Sequence, residues 1–359
     1  MARPVLLLVL VILLFSTATS SSKRIQPKFS AIFYFGDSVL DTGNNNHLPT
    51  LAVANHVPYG RDFPGKKPTG RFSNGRLVPD LLNERLQLKE FSPPFLDTKL
   101  SNIDIMTGVN FASAGSGFDD QTSQLSNTLP MSKQVGLFKD YLLRLRNIVG
   151  EKEASRIMAN SMIFISSGTN DFSHYYRSSK KKMDISEYQD TVLQMAQAYI
   201  KELYRLGGRQ FCLAGLPPFG CTPIQITLSR DPDRACVDEQ NWGAQVYNSK
   251  LQESIPALQG SLHGSKIVYL DAYRALMEIL EDPVKYGNLP IFLTMLTGFT
   301  ETRRGCCGTG LREVALFCNA LTPICKNVSS YVFYDAVHPT ERVYMLVNDY
   351  IVKYVIPQF

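Results

Sequence analysis

The chain has 359 residues and a formal net charge of +5, with 44% hydrophobic and 19% charged residues. A balance this mild leaves no electrostatic footprint for nucleic acid. The composition contains no disordered block, and the length suits one large domain or two small ones.

The N-terminus reads as a secretory leader. Arg3 is followed by an unbroken apolar run from Val5 to Phe15, then by the small residues Ala18-Thr19-Ser20, the pattern of a signal peptide over residues 1–20. The apolar run is shorter than the roughly 20 residues of a membrane span, and no later segment is long and apolar enough for one. A secreted protein, in apoplast or vacuole, is the expectation. The domain expected to follow covers residues 28–357.

Residues 31–35, Ala-Ile-Phe-Tyr-Phe, form a short aromatic run expected as a buried strand. The strand breaks at Gly36 and delivers Asp37 and Ser38 to its carboxyl end, where open α/β sheets place ligands. Residues 43–75 are rich in Gly, Asn and Pro and predict a long irregular insertion. A helix is expected over 76–86, and a strand at Val109–Ala112 followed by the flexible turn Ser113–Gly117. A further helix is expected over 134–149. The apolar run 161–167 predicts a strand ending in Gly168-Thr169-Asn170-Asp171, followed by a helix over 187–206 stopped by Gly207-Gly208. Strands at 210–216 and 266–270 flank a helix near 239–251, and a last helix is expected over about 340–354. Strands alternating with helices predict a mainly parallel sheet of about five strands covered on both faces, a three-layer α/β/α sandwich.

There are seven cysteines. Cys212 lies in an apolar strand-like run and is expected as a buried free thiol. Cys221, Cys236, Cys306, Cys307, Cys318 and Cys325 suit three disulfides, with connectivity open. A zinc site is not expected, because these cysteines lack Cys-x-x-Cys spacing and have no histidine nearby. Asn327-Val328-Ser329 is an N-glycosylation acceptor, which places the Cys-rich stretch at the surface.

A serine hydroxyl needs a base, and the usual base is a histidine oriented by a carboxylate. Of five histidines, two have an Asp three residues upstream: Asp171 with His174, and Asp335 with His338. Spacing leaves the pairs nearly level. Pro339, suited to the first turn of a helix, favours the second, whereas Asp171 follows a turn with another use. Gly115 and Asn170 each follow a strand candidate, at the same sheet edge as Ser38. They are candidate donors to an oxyanion.

These pieces carry a resemblance. The chain resembles the plant GDSL esterase/lipases of the SGNH-hydrolase superfamily over nearly the whole mature length. The matching blocks are FGDSVLDTGNNN at 35–46, GVNFASAGSG at 108–117, GTND at 168–171 and DAVHPTE at 335–341. Val39 departs from the family's Leu, and Tyr334 stands where plant members often have Trp. The resemblance implies a flavodoxin-like fold and a carboxylic ester hydrolase acting on a small-molecule or lipid ester. It implies Ser38 as nucleophile, His338 as base and Asp335 as its orienting partner. The Ser38 N–H, Gly115 and Asn170 would form the oxyanion hole. This chemistry calls on no metal or organic cofactor. Acyl transfer through the same acyl-enzyme, or a binding protein on an inactive scaffold, are the alternatives.

Overall fold

The computed structural model describes residues 28–179, 181, 183–287 and 298–359; the leader expected over residues 1–20 lies outside them. In chain order, β1 (Ile32–Gly36) is followed by α1 (Val78–Arg85), α2 (Asn102–Met106), α3 (Asp120–Gln124), α4 (Met131–Val149) and α5 (Glu151–Ala159). Next come β2 (Met162–Ser166), α6 (Thr169–Arg177), α7 (Ile185–Arg205), β3 (Gln210–Ala214), α8 (Pro223–Ser229) and α9 (Asp238–Ser261). The chain closes with β4 (Lys266–Leu270), α10 (Ala272–Glu281), β5 (Glu301–Gly305), β6 (Tyr331–Phe333) and α11 (Glu341–Tyr350).

The main sheet is parallel in the order β1-β2-β3-β4, with Phe35 opposite Ile165 and Ala214 opposite Leu270. Side-chain alternation explains both apolar faces. Phe33, Phe35, Ile163, Ile165, Phe211 and Leu213 pack under α4, α5 and α7 through Phe138, Tyr141, Ile157, Ile200 and Leu203. Tyr34, Phe164, Cys212, Val268 and Leu270 face the other way, toward Val78, Leu81 and Leu82 of α1 and Tyr344 of α11. The result is the expected α/β/α layering.

The strand expected at Val109–Ala112 is not a regular strand. It lies beside β1, where the Phe111 N–H donates to the Tyr34 carbonyl at 2.8 Å and Tyr34 bridges Asn110 in parallel. Asn110 also bridges Pro94 on its other side, and its side-chain oxygen accepts from the Ala112 N–H at 2.8 Å. That bond satisfies an N–H on the edge away from β1; on the β1 side the Gly36 N–H goes to the Gln134 side chain instead of to this segment, so the sheet has four named strands and one bridged segment. The other expected elements differ only at their boundaries, whereas α2, α3, α5, α6, α8 and α10 were not expected. Asp184 caps α7 by accepting from the Glu187 N–H at 2.9 Å, so the helix starts at Ile185, two residues earlier than expected. Helix α9 runs on through Pro256, and α11 gives way at Ile351 to a π turn.

The pair β5/β6 was not expected, because β5 is Glu-Thr-Arg-Arg-Gly and carries no apolar alternation. It forms a small parallel sheet, with Gly305 opposite Phe333. A β-carbon at Gly305 would stand 2.5 Å from the Asp335 carbonyl oxygen, so only glycine permits this approach. Disulfides join Cys221 to Cys236, Cys306 to Cys325 and Cys307 to Cys318, while Cys212 is a buried free thiol. Among the described residues no helix is long and apolar enough to cross a membrane.

Candidate active site

The turn after β1 is dictated by Gly36. Its φ is +146°, and a β-carbon there would lie 1.9 Å from the Ser166 carbonyl oxygen of β2. Gln134 of α4 fixes this glycine from the opposite side: its side-chain oxygen accepts from the Gly36 N–H at 3.0 Å, and its amide donates to the Gly36 carbonyl at 2.9 Å. The Leu40 and Asp41 N–H groups then fold back onto the Asp37 carbonyl. Ser38 is left half-buried at the sheet's carboxyl edge.

Asp41 binds the neighbouring loop to this turn. Its carboxylate accepts from the N–H groups of Gly43 and Asn44, each at 2.7 Å, and from that of Ala114 at 3.0 Å. Buried Asn44 and Asn45 donate to the carbonyls of Ala112 and Ala114. These contacts seat Gly115, at φ +86°, beside the serine turn. Neither the Ser38 N–H nor the Gly115 N–H donates to any group among the described residues. At the head of α6, the Asn170 amide donates to the Ser116 carbonyl at 2.9 Å, which holds it at the same rim.

The third segment arrives from near the C-terminus. The Asp335 Oδ1 accepts from the N–H groups of Val337 and His338 at 2.8 and 2.7 Å, a local turn that the Asp-x-x-His spacing permits. Its Oδ2 lies 2.7 Å from His338 Nδ1, and His338 Nε2 lies 2.8 Å from Ser38 Oγ. Asp335 and His338 are both buried.

The second Asp/His pair does not assemble. Asp171 turns away from His174 and accepts from the Phe118 N–H at 2.8 Å, the Asp119 N–H at 3.3 Å and the Thr122 hydroxyl at 2.5 Å. Burial lifts its pKa to about 7, against the pull of those donors. The His174 ring instead meets Arg177, at 3.1 Å from Nδ1.

Two neighbours of the constellation were missed by sequence reasoning, and both lie in the irregular insertion. The Tyr59 hydroxyl donates to Asp335 Oδ2 at 2.7 Å and accepts from the Ala315 N–H at 2.9 Å. The Phe72 ring packs on the His338 imidazole with centroids 4.8 Å apart. A tyrosine and a phenylalanine in a Gly- and Pro-rich stretch offered no local signal.

Asp37 is buried at 3% exposure beside the serine. Burial raises its pKa from 3.8 to about 6, although the Val39 N–H and the nearby His338 favour its charged form. Between pH 4 and 6 the folded chain therefore keeps a proton that the unfolded chain has released. This group's contribution to stability is lost as pH rises through that window. In Asp37→Asn the variant's stability relative to the parent is expected to rise by about 1–3 kcal/mol between pH 4 and pH 7. Paired thermal melts at the two pH values measure it, and identical pH responses in both proteins contradict it.

Comparison with known proteins identifies the family. Residues 32–351 match the family model described as GDSL-like lipase/acylhydrolase. The Arabidopsis thaliana protein GDSL esterase/lipase At1g58430 is 45% identical over 343 residues, covering 94% of this chain and 92% of that one. GDSL esterase/lipase At2g31550 from the same plant is 44% identical over the same shares. The resemblance drawn from four short blocks thus extends over nearly the whole chain, and the protein belongs to the GDSL-like lipase/acylhydrolase family of carboxylic ester hydrolases.

Proposed function

We propose that this protein is a secreted serine esterase that hydrolyses carboxylic esters through an acyl-enzyme on Ser38. The observation that carries the reading is the unbroken relay from Ser38 Oγ to His338 Nε2 at 2.8 Å and from His338 Nδ1 to Asp335 Oδ2 at 2.7 Å. The Ser38 oxygen attacks the ester carbonyl while His338 takes its proton. Asp335 holds the ring tautomer that accepts at Nε2 and stabilises the imidazolium. The oxyanion is met by the Ser38 and Gly115 N–H groups and the Asn170 amide. Collapse breaks the acyl–alcohol bond, and the alcohol leaves with the proton from His338. Water then adds to the acyl-enzyme, gives its proton to His338 and releases the acid as that proton returns to Ser38.

Secretion is supported by the leader pattern of residues 1–20, by the three disulfides and by Asn327, which stands exposed for glycosylation. Residues 28–357 act as one catalytic domain in this reading. The purified protein is expected to release acetate and p-nitrophenol in equal amounts from p-nitrophenyl acetate, with acetate still the main acyl product when an alcohol is added. No turnover above the buffer rate contradicts esterase activity. Acyl product appearing mainly as the new alcohol's ester favours transfer.

A further inference from the structure

A cavity of about 130 Å³ is lined at one end by Ser38 and Asn170. It continues between the sheet face carrying Phe164 and Leu270 and the face of α11. There Val343, Val347 and Ile351, the last at the turn that follows the helix, also line it. These residues are four apart and stack on one side of the helical run, so each lies one turn farther from the serine. The three span about 12 Å at 1.5 Å per residue. Asp37 is the one charged residue of the lining, and it sits beside Ser38. A charged acyl group would find no partner deeper in.

We propose that this slot receives the acyl chain of the substrate and selects an unbranched aliphatic acid of about six carbons; a Leu/Ile/Phe-lined cavity of similar size accepts benzene. The inference rests on the esterase reading and specifies its substrate. The acyl part is the appropriate occupant because it stays bonded to Ser38 until water arrives, whereas the alcohol must leave first. A recess lined by core side chains suits the group that remains.

The test is a series of p-nitrophenyl esters from acetate to dodecanoate, set beside acetates of alcohols of increasing length. In the acyl series kcat/KM is expected to rise about fourfold per methylene up to about hexanoate, and to fall beyond octanoate. The alcohol series should stay nearly flat. Val347→Phe should lower the hexanoate-to-acetate ratio of kcat/KM at least tenfold. Ile351→Ala should move the optimum to a longer chain. The wild-type series decides alone if neither variant folds. A flat acyl series, or an optimum set by the alcohol, overturns the slot and leaves the esterase standing. Absence of turnover with every ester overturns the esterase reading, and the slot with it.

Discussion

Ser38→Ala is expected to lower kcat on an ester substrate by about 10⁴- to 10⁶-fold, because members of a nucleophile–base–carboxylate relay act as a unit. In the proposed mechanism the Ser38 oxygen is the atom that bonds the acyl carbon. Without it, His338 can activate only a water not held in line. KM should change little, since the proposed oxyanion donors and the cavity wall remain. The fold should also survive, because Oγ has its hydrogen bond with His338 and supports no other contact in the turn. Steady-state kinetics with a circular-dichroism control measures the effect. Activity within tenfold of the parent would move the nucleophile elsewhere.

The largest expected loss of stability lies at the ion pair of Arg71 and Asp80. Both side chains are nearly inaccessible, at 5% and 0% exposure. The guanidinium donates through Nε and one terminal nitrogen to the two Asp80 oxygens at 2.8 and 2.6 Å. Its remaining N–H groups reach the Thr42 carbonyl, the Thr69 hydroxyl and the Ser92 carbonyl. Asp80 in turn accepts from the Leu77 and Ser92 N–H groups. Asp80→Ala strips the buried cation of its counter-ion and is expected to destabilise the protein by about 3–5 kcal/mol. Arg71 precedes Phe72, which packs on His338, so activity should fall below the melting point as well. Replacing both charges with apolar residues of similar size should recover only a small part of the stability, because it removes the unpaired charge but leaves the Leu77 and Ser92 N–H groups and the Thr42 and Ser92 carbonyls without these partners. Denaturant unfolding of the single and double variants tests this; a single variant within 1 kcal/mol of the parent refutes it.

Much of the sheet could be read because its strands are short apolar runs bounded by glycine and proline, as in β1 and β2. The serine, glycine, asparagine and histidine of the site could be read because each sits where a strand or loop ends, in a block with its own signature. Tyr59 and Phe72 could not. Tyr59 meets Asp335 across 276 residues of sequence, and nothing in residues 43–75 has a period that predicts which side chains fold inward. Strand β5 was hidden for a related reason: it is held by its pairing with β6 and by the close approach at Gly305, neither of which needs apolar residues. The segment at Val109–Ala112 was misread in the opposite sense. Its apolar residues are buried and bridged to β1 as in a strand, but the Gly36 N–H of β1 goes to the Gln134 side chain, which ends the regular pairing.

The central claim is that Ser38 is the nucleophile and that His338 activates it. Treatment with a fluorophosphonate tests it most directly: phosphonylation of a serine oxygen expels fluoride and leaves a stable adduct. The account predicts one adduct per chain, mapped by peptide mass spectrometry to the peptide containing Ser38, abolished in Ser38→Ala and strongly slowed in His338→Ala. An adduct on another serine, or labelling unchanged in Ser38→Ala, would contradict it.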